Sequence, residues 1–196
     1  MTGPGRAGPS SLESPPRRRN RLRWIVVGAA AVVLVASAVV GALYLLGDSE
    51  SAPPTPGEPE VVSVDRLRSF AADRDAPVYW AGEIPDRSLE LTRTGRGDVY
   101  VRYLTEDAEA GDERAVFTTV GTYPQPDAYA YLTRTGRRDG YARTQAPARG
   151  IAVWDVERPT SVYVTYPGAN YVVEVYDPNE RTARGLVLSG EVEPVS

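Results

Sequence analysis

Apolar and polar residues alternate through much of the second half of the chain, a pattern typical of strands with one buried face. The alternation is clearest in residues 88–104 and 160–178, where it continues on both sides of a glycine-containing turn. Each stretch predicts a β-hairpin, and Pro167 and Gly168 suit the two central positions of a type II turn. Further strands are predicted in residues 77–82, 115–124, 140–144 and 150–157.

Helix signals occur in three other segments. Residues 63–75 begin with Ser63, a good N-cap, residues 126–136 begin with proline and aspartate and end at glycine, and residues 179–190 follow the last strand. The chain order is helix, about four strands, helix, about four strands, helix, with short turns between the strands. This order predicts an α+β domain with a largely antiparallel sheet and with the helices packed on one face of that sheet.

A continuous apolar stretch lies before this domain. Residues 24–46 contain no charged side chain, and a helix of that length extends about 34 Å, enough to cross a bilayer core of about 30 Å. Five arginines lie directly before the stretch, whereas Asp48 and Glu50 follow it. By the positive-inside rule, this asymmetry predicts one transmembrane helix with a cytoplasmic N-terminus and an extracytoplasmic C-terminal domain. The lipid bilayer is thus the first predicted partner.

The alternative is a cleaved signal peptide, because residues 36–38 fit the small-residue cleavage pattern. We favour an uncleaved anchor, since the apolar stretch is longer than an ordinary signal core. The predicted organisation is a disordered basic cytoplasmic tail in residues 1–23, the transmembrane helix in residues 24–46, a proline-rich linker in residues 47–60 and the extracytoplasmic domain in residues 61–196.

The composition excludes several chemistries. The chain contains no cysteine and no histidine, and all 22 basic residues are arginine. Disulfides, thiolate metal sites, Ser-His-Asp catalysis and Schiff-base chemistry therefore have no residues to carry them. Residues 61–196 hold sixteen arginines against twenty-one acidic residues, a balance of −5 that is unsuited to nucleic acid. We expect no enzymatic activity, no cofactor and no metal site.

A twelve-residue sequence occurs twice. LTRTGRGDVYVR in residues 91–102 and LTRTGRRDGYAR in residues 132–143 share nine residues. The first copy alternates as a strand does, whereas the second begins in a predicted helix, so we expect the two copies in different structures. We interpret the shared TRTGR as the place where a helix or strand ends, with its glycine in a backbone conformation of positive φ. The alternatives are duplication of a helix-plus-four-strand unit and a binding loop used twice.

Two short motifs have both a functional and a simpler structural interpretation. Arg96-Gly97-Asp98 spells the integrin-binding tripeptide, but a tight hairpin turn also favours glycine and aspartate. The acids of residues 106–113 offer the oxygen ligands that Ca²⁺ prefers, but their spacing does not match a calcium-binding loop. A solvated surface loop is the simpler interpretation.

Aromatic and acidic side chains are further candidates. Exposed rings beside arginine suit sugar rings or anionic polymers, although packing within the sheet is favoured for Trp80, Trp154, Tyr163 and Tyr171. Paired carboxylates would serve glycan hydrolysis, but the sequence places no pair at the required distance. Glu174 is expected on the outer face because it alternates with two valines. The acids on or near predicted strands are Glu83, Glu90, Asp155, Glu157 and Glu174.

Four segments carry a resemblance to known proteins. PVYWAG, VYVRYL, TVGTYP and PTSVYVTYPGANYVVEVYDP are similar to segments of uncharacterised membrane-anchored extracytoplasmic-domain proteins of high-GC Gram-positive bacteria. The similarity extends over most of residues 61–196. It implies a bacterial cell-envelope setting and carries no activity, cofactor or catalytic residue.

These features together predict a single-pass membrane protein that presents a non-enzymatic interaction or scaffold domain in the cell envelope. Its expected partner is an envelope protein or a cell-wall glycan. The alternative is an extracytoplasmic sensor domain that binds a solute or a glycan, although the short tail in residues 1–23 would signal only through a partner. A glycan-active enzyme with paired carboxylates is the third hypothesis. The sequence assigns neither catalytic nor ligand-binding residues.

Overall fold

The computed structural model describes residues 55–196. The predicted tail in residues 1–23, the predicted transmembrane helix in residues 24–46 and most of the predicted linker lie outside the described residues. The predictions for those segments therefore stay predictions. Within the described range, no helix has both the length and the apolar composition that crossing a bilayer requires.

Strands dominate the described residues. The strands are β1 (Glu60–Val62), β2 (Tyr79–Trp80), β3 (Ser88–Arg93), β4 (Val99–Leu104), β5 (Thr119–Pro124), β6 (Tyr141–Gln145), β7 (Ile151–Asp155), β8 (Ser161–Thr165), β9 (Tyr171–Tyr176) and β10 (Glu193–Pro194). The α-helices are α1 (Val64–Ala72), α2 (Ala128–Thr135) and α3 (Glu180–Ser189), and a 3₁₀ turn spans Pro147–Arg149. Both predicted hairpins and all three predicted helices are confirmed.

Eight strands form one antiparallel sheet in the order β1-β3-β4-β5-β9-β8-β7-β6. The strands before α2 make one half of the sheet and those after α2 make the other, so the halves meet where β5 pairs with β9. The α+β class and the antiparallel sheet are thus confirmed. β2 and β10 form a separate two-stranded ribbon in which Trp80 pairs with Glu193.

The helices lie on both faces of the sheet, so the prediction of a single helical face is wrong. Val162 and Val164 of β8 belong to an apolar cluster with residues of α1 and α3. Tyr163, between them, packs against a second cluster that contains Leu132 of α2. Because neighbouring strand residues point to opposite faces, α1 and α3 cover the first face and α2 covers the second. The second face needs a cover because it also carries apolar residues such as Val153.

Two of the three helices begin with a side-chain cap, and the cap predicted at Ser63 is one of them. The Ser63 side chain accepts a hydrogen bond from the backbone N–H of Arg66 at 3.1 Å, as expected for the N-cap of α1. Asn179 caps α3 in the same way by accepting from the backbone N–H of Arg181 at 3.0 Å. Asp127 before α2 has a left-handed backbone with φ 53° and makes no side-chain capping bond. Helix α2 is therefore held by packing more than by its cap.

The two copies of the repeated sequence occupy different structures, as expected. The first runs from β3 through a turn into β4, and the second from the end of α2 into β6. The predicted positive φ at the glycine of TRTGR is wrong, because Gly136 has φ −69°. Positive values occur further along, at Gly97 (φ 91°) and Gly140 (φ 85°). Gly136 instead allows a close approach, since a Cβ there would lie 2.9 Å from the Cβ of Arg143.

Candidate functional site

Glu174 is a buried carboxylate on the second face of the sheet. It lies on β9, where 5% of its surface is exposed, and it faces Gly121 of β5 and Tyr163 of β8. The Tyr123 hydroxyl donates to its Oε2 at 2.6 Å, and the Tyr163 hydroxyl donates to its Oε1 at 3.0 Å. Tyr100 of β4 packs edge-on against Tyr123, with ring centroids 5.6 Å apart. We call Tyr100, Tyr123, Tyr163 and Glu174 the tyrosine cluster.

The sequence predicted the direction of Glu174 but not its burial. The residue points away from the face that holds Val173 and Val175, as alternation requires. That second face is covered by α2 and by the loop of residues 105–118, so the expected outer position is wrong. The carboxylate consequently lies in an environment where its hydrogen bonds are stronger than they would be in water.

Gly121 makes room for the tyrosine ring that reaches Glu174. Tyr123 and Gly121 both lie on β5 and point to the second face. A Cβ on Gly121 would lie 2.6 Å from the hydroxyl oxygen of Tyr123 and 2.9 Å from its Cζ, closer than real contacts allow. The ring therefore folds back over the glycine, and this brings the hydroxyl to the carboxylate.

The hydroxyl groups of the tyrosine cluster remain protonated donors over a wide pH range. Burial raises the pKa of Tyr123 well above its ordinary value, and the neighbouring Glu174 raises it further. The same two causes raise the pKa of Tyr163. Burial, followed by the charge of Asp98, raises the pKa of Tyr100 to about 12. Neutral phenols donating to a carboxylate form charge-assisted hydrogen bonds, which are shorter and stronger than neutral ones.

Glu174 has no arginine partner in the part of the chain that the structure describes. The ion pairs between residues 55 and 196 join arginines to other acids. An ionised carboxylate offers about four acceptor positions, and two phenols leave some of them unused. The three rings beside it are half-buried rather than buried. The cluster therefore combines spare acceptor capacity with accessible aromatic surface, which suits a ligand with hydroxyl or amine donors.

Glu90 is a second buried acid on the same face, and its environment differs. It is 1% exposed; Arg102 donates to its Oε1 at 2.8 Å, and the backbone N–H of Gly111 donates to its Oε2 at 2.7 Å. Arg102 also donates to the carbonyl of Asp112 at 2.6 Å, and its guanidinium lies 5.0 Å from the ring centre of Phe117. These contacts fasten the loop of residues 105–118 to the sheet, so Glu90 has a structural role.

The structure does not bring the candidate acids together as a catalytic pair. Glu90 and Glu174 are three strands apart, about 14 Å at the usual strand spacing, whereas glycosidase carboxylates lie about 5–9.5 Å apart. Asp155 accepts from the backbone N–H of Glu157 at 2.8 Å and so stabilises its own turn. Glu83 and Glu157 are exposed. Glu90, Asp155 and Glu174 therefore make separate local contacts.

One arginine pairs with two of the five acids in residues 106–113. Arg114 pairs with Asp112 at 2.7 Å and with Asp107 at 3.6 Å. The Arg114 hydrogen bonds hold the pKa of Asp112 below its ordinary value, and a bond from Thr105 contributes most to the lowered pKa of Asp107. No three acidic side chains of residues 55–196 converge as metal ligands. The arrangement favours the interpretation of this segment as a charged surface loop.

The Arg96-Gly97-Asp98 tripeptide forms the turn between β3 and β4. Arg96 is exposed, but Asp98 is half-buried and accepts a hydrogen bond from the Thr94 hydroxyl at 3.1 Å. The Gly97 carbonyl accepts from the Arg74 guanidinium at 3.2 Å. Because the aspartate and the glycine carbonyl are both engaged within the fold, the tripeptide is a turn rather than a presented ligand.

The other candidate rings pack on the first face of the sheet. Trp80 is buried there, as the structural interpretation predicted. Tyr171 shares a hydrogen bond with the Tyr79 hydroxyl at 3.0 Å, and Trp154 lies under the guanidinium of Arg184 at 5.6 Å. Of the four aromatic candidates, only Tyr163 belongs to the tyrosine cluster. Sequence reasoning missed Tyr100 and Tyr123, because their nearness to Glu174 depends on the pairing order of β4, β5 and β9.

Comparison with known proteins found no relative of this chain. No family model, no curated protein and no solved structure matches the chain. The site therefore has to be interpreted from its own geometry.

Proposed function

We propose that this chain is a single-pass membrane protein that presents residues 61–196 outside the cytoplasm as a non-enzymatic interaction domain of the cell envelope. The proposal is supported by the charge-free stretch of residues 24–46, by the arginines before it and by the acids after it. The domain acts by binding, and its partner is an envelope protein or a cell-wall glycan.

The tyrosine cluster is the observation on which the binding role depends. Its half-buried rings offer rigid contact surface at a low cost in side-chain entropy, a property that makes tyrosine common in binding surfaces. Glu174 adds a negative charge without a neighbouring arginine among the described residues. A surface built only for stability would pair that charge, as the Arg102 guanidinium does for Glu90.

The second candidate function is a sensor that binds a solute or glycan, and the same cluster favours it. A sugar presents an apolar ring face and several hydroxyl donors, and these match a tyrosine face beside a carboxylate. A protein partner would use the cluster only as part of a larger contact of about 800 Å² on each side. The nature of the captured molecule therefore distinguishes the two candidates.

The membrane orientation is tested first. Because the sequence contains no cysteine, a maleimide can label only the thiol that is introduced. Ser14→Cys introduces a thiol in the predicted cytoplasmic tail, and Ser69→Cys introduces one at an exposed position of α1. We expect a membrane-impermeant maleimide to label Ser69→Cys in intact cells and Ser14→Cys only after permeabilisation. Labelling of Ser14→Cys alone in intact cells would invert the topology and remove the envelope role.

The binding role is tested by photo-crosslinking in intact cells. A photoreactive phenylalanine analogue at Tyr100 samples the tyrosine cluster, and the same analogue at exposed Arg181 of α3 samples another surface. We expect adducts at position 100 that disappear in the Glu174→Gln background. Protein adducts support the scaffold role, and glycan adducts support the sensor role. Equal adducts at both positions, or adducts unchanged by Glu174→Gln, would contradict the assignment of this site.

A further inference from the structure

Two arginines lie beside the turn between β3 and β4. Arg74 follows α1, its guanidinium donates to the Gly97 carbonyl at 3.2 Å, and its Cζ lies 5.2 Å from the ring centre of Phe70. Arg93 is the last residue of β3 and alternates with Leu91, so its side chain leaves the sheet on the first face. This pair is on the face opposite to the tyrosine cluster.

Neither guanidinium group has an acidic partner in the part of the chain that the structure describes. In residues 55–196, no ion pair includes Arg74 or Arg93. The Nε atoms of both side chains are buried and have no hydrogen-bond partner among the described residues. Burial lowers the pKa of Arg74, and the positive charge of Arg93 lowers it further, so the two cations lie near enough to repel each other.

An oxyanion supplies the counter-charge that this pair lacks within residues 55–196. Unpaired like charges in a partly dry environment destabilise a fold, and a bound anion removes the repulsion. A guanidinium presents several N–H donors in a planar fork that matches phosphate, sulfate or carboxylate oxygens. Two unpaired guanidinium groups beside one turn favour a group with more than one negative charge. We propose that Arg74 and Arg93 form a binding site for a phosphate group, supplied by free phosphate or by a lipid headgroup.

The test follows thermal unfolding of the full chain in neutral detergent as inorganic phosphate replaces chloride at constant ionic strength. We expect phosphate at about ten times its dissociation constant to raise the melting temperature by about 3 °C. Arg93→Gln should abolish this rise and should leave the melting temperature without phosphate equal or higher, because the repulsion is gone. Arg96→Gln is the control, since it removes an exposed arginine from the same turn and should keep the phosphate response.

Nanodiscs distinguish the two sources of phosphate. If the headgroup is the ligand, discs of an anionic phospholipid raise the melting temperature of the wild type and of Arg96→Gln above that in zwitterionic discs, and Arg93→Gln loses the difference. If only inorganic phosphate gives the Arg93-dependent rise, the ligand is free phosphate. The proposal fails if neither source stabilises the chain, or if Arg93→Gln and Arg96→Gln respond alike. The inorganic phosphate arm does not depend on the proposed membrane anchor.

Discussion

Glu90 and Glu174 are both buried on the second face of the sheet, yet their surroundings differ in charge. Glu90 meets the Arg102 guanidinium and a backbone N–H, and these contacts attach a loop to the sheet. Among the described residues, Glu174 accepts hydrogen bonds from two neutral phenols, those of Tyr123 and Tyr163. Glu90 thus has a cation partner within the fold, whereas no ion pair among the described residues includes Glu174.

This difference in charge partners identifies Glu90 as part of a structural site and Glu174 as part of a candidate binding site, although both lie on the same face of the sheet. A buried carboxylate with a cation partner loses much stability when the partner is removed. A carboxylate held by phenols keeps its hydrogen bonds but can still attract a donor from outside the chain. Stability measurements on matched variants therefore test whether Glu90 and Glu174 have these different roles.

The largest effect is expected from Arg102→Ala. It leaves Glu90 charged and buried, so we expect the free energy of unfolding to fall by about 3 kcal/mol, measured by denaturant unfolding. Arg114→Ala is the control, because that exposed arginine forms surface ion pairs and should cost less than about 1 kcal/mol. Adding Glu90→Gln to Arg102→Ala should recover part of the loss. A cost for Arg102→Ala no greater than that for Arg114→Ala would remove the structural role of the pair.

A smaller effect is expected from Tyr123→Phe, which removes a donor from Glu174. Loss of one charge-assisted hydrogen bond should lower the free energy of unfolding by about 2 kcal/mol. Tyr176→Phe is the matched control, because the Tyr176 hydroxyl donates to the neutral carbonyl of Ala115 and should cost about 1 kcal/mol. In a Glu174→Gln background, the cost of Tyr123→Phe should shrink toward the control value. An unchanged cost there would mean that the carboxylate charge does not strengthen the bond.

The next effect concerns Gly121→Ala, which places a methyl group where the Tyr123 ring lies. The clash at 2.6 Å should displace the hydroxyl from Glu174 and lower the free energy of unfolding by about 1.5 kcal/mol. The loss should disappear in a Tyr123→Ala background, because the methyl group then has space. Equal losses in both backgrounds would show that another contact of Gly121 is responsible.

The sequence predicted the local parts of this fold and missed the non-local ones. Ser63 marks the start of α1 through a bond to a residue three positions away, and the two hairpins follow from alternation and turn residues. The ribbon of β2 with β10 and the position of α2 on the second face depend on residues distant in sequence. Short local patterns contain no information about such pairings.

The tyrosine cluster was beyond sequence reasoning for the same reason. Tyr100, Tyr123 and Glu174 come from β4, β5 and β9, and only the strand order places these residues side by side. Alternation assigned each residue to a face of its own strand. It did not indicate which strands are neighbours, nor that Gly121 leaves the space into which a ring folds.

The smallest effect at neutral pH is expected from Tyr100. Its main effect on the free energy of unfolding is expected in alkaline solution. Its pKa is raised to about 12, whereas tyrosine in an unfolded chain titrates near 10. Its contribution to stability is therefore fully present below about pH 10 and is lost as the pH rises toward about 12, because the unfolded chain releases the proton first. Tyr100→Phe should leave the free energy of unfolding at pH 7 within about 1 kcal/mol of the wild type and flatten its decline above pH 10. Denaturant unfolding across this range measures both quantities, and the difference in phenolate absorbance between the wild type and Tyr100→Phe gives the pKa of Tyr100. A wild-type decline that Tyr100→Phe leaves unchanged would assign the alkaline instability to other tyrosines whose pKa values are raised by burial, among them Tyr103, Tyr123 and Tyr163.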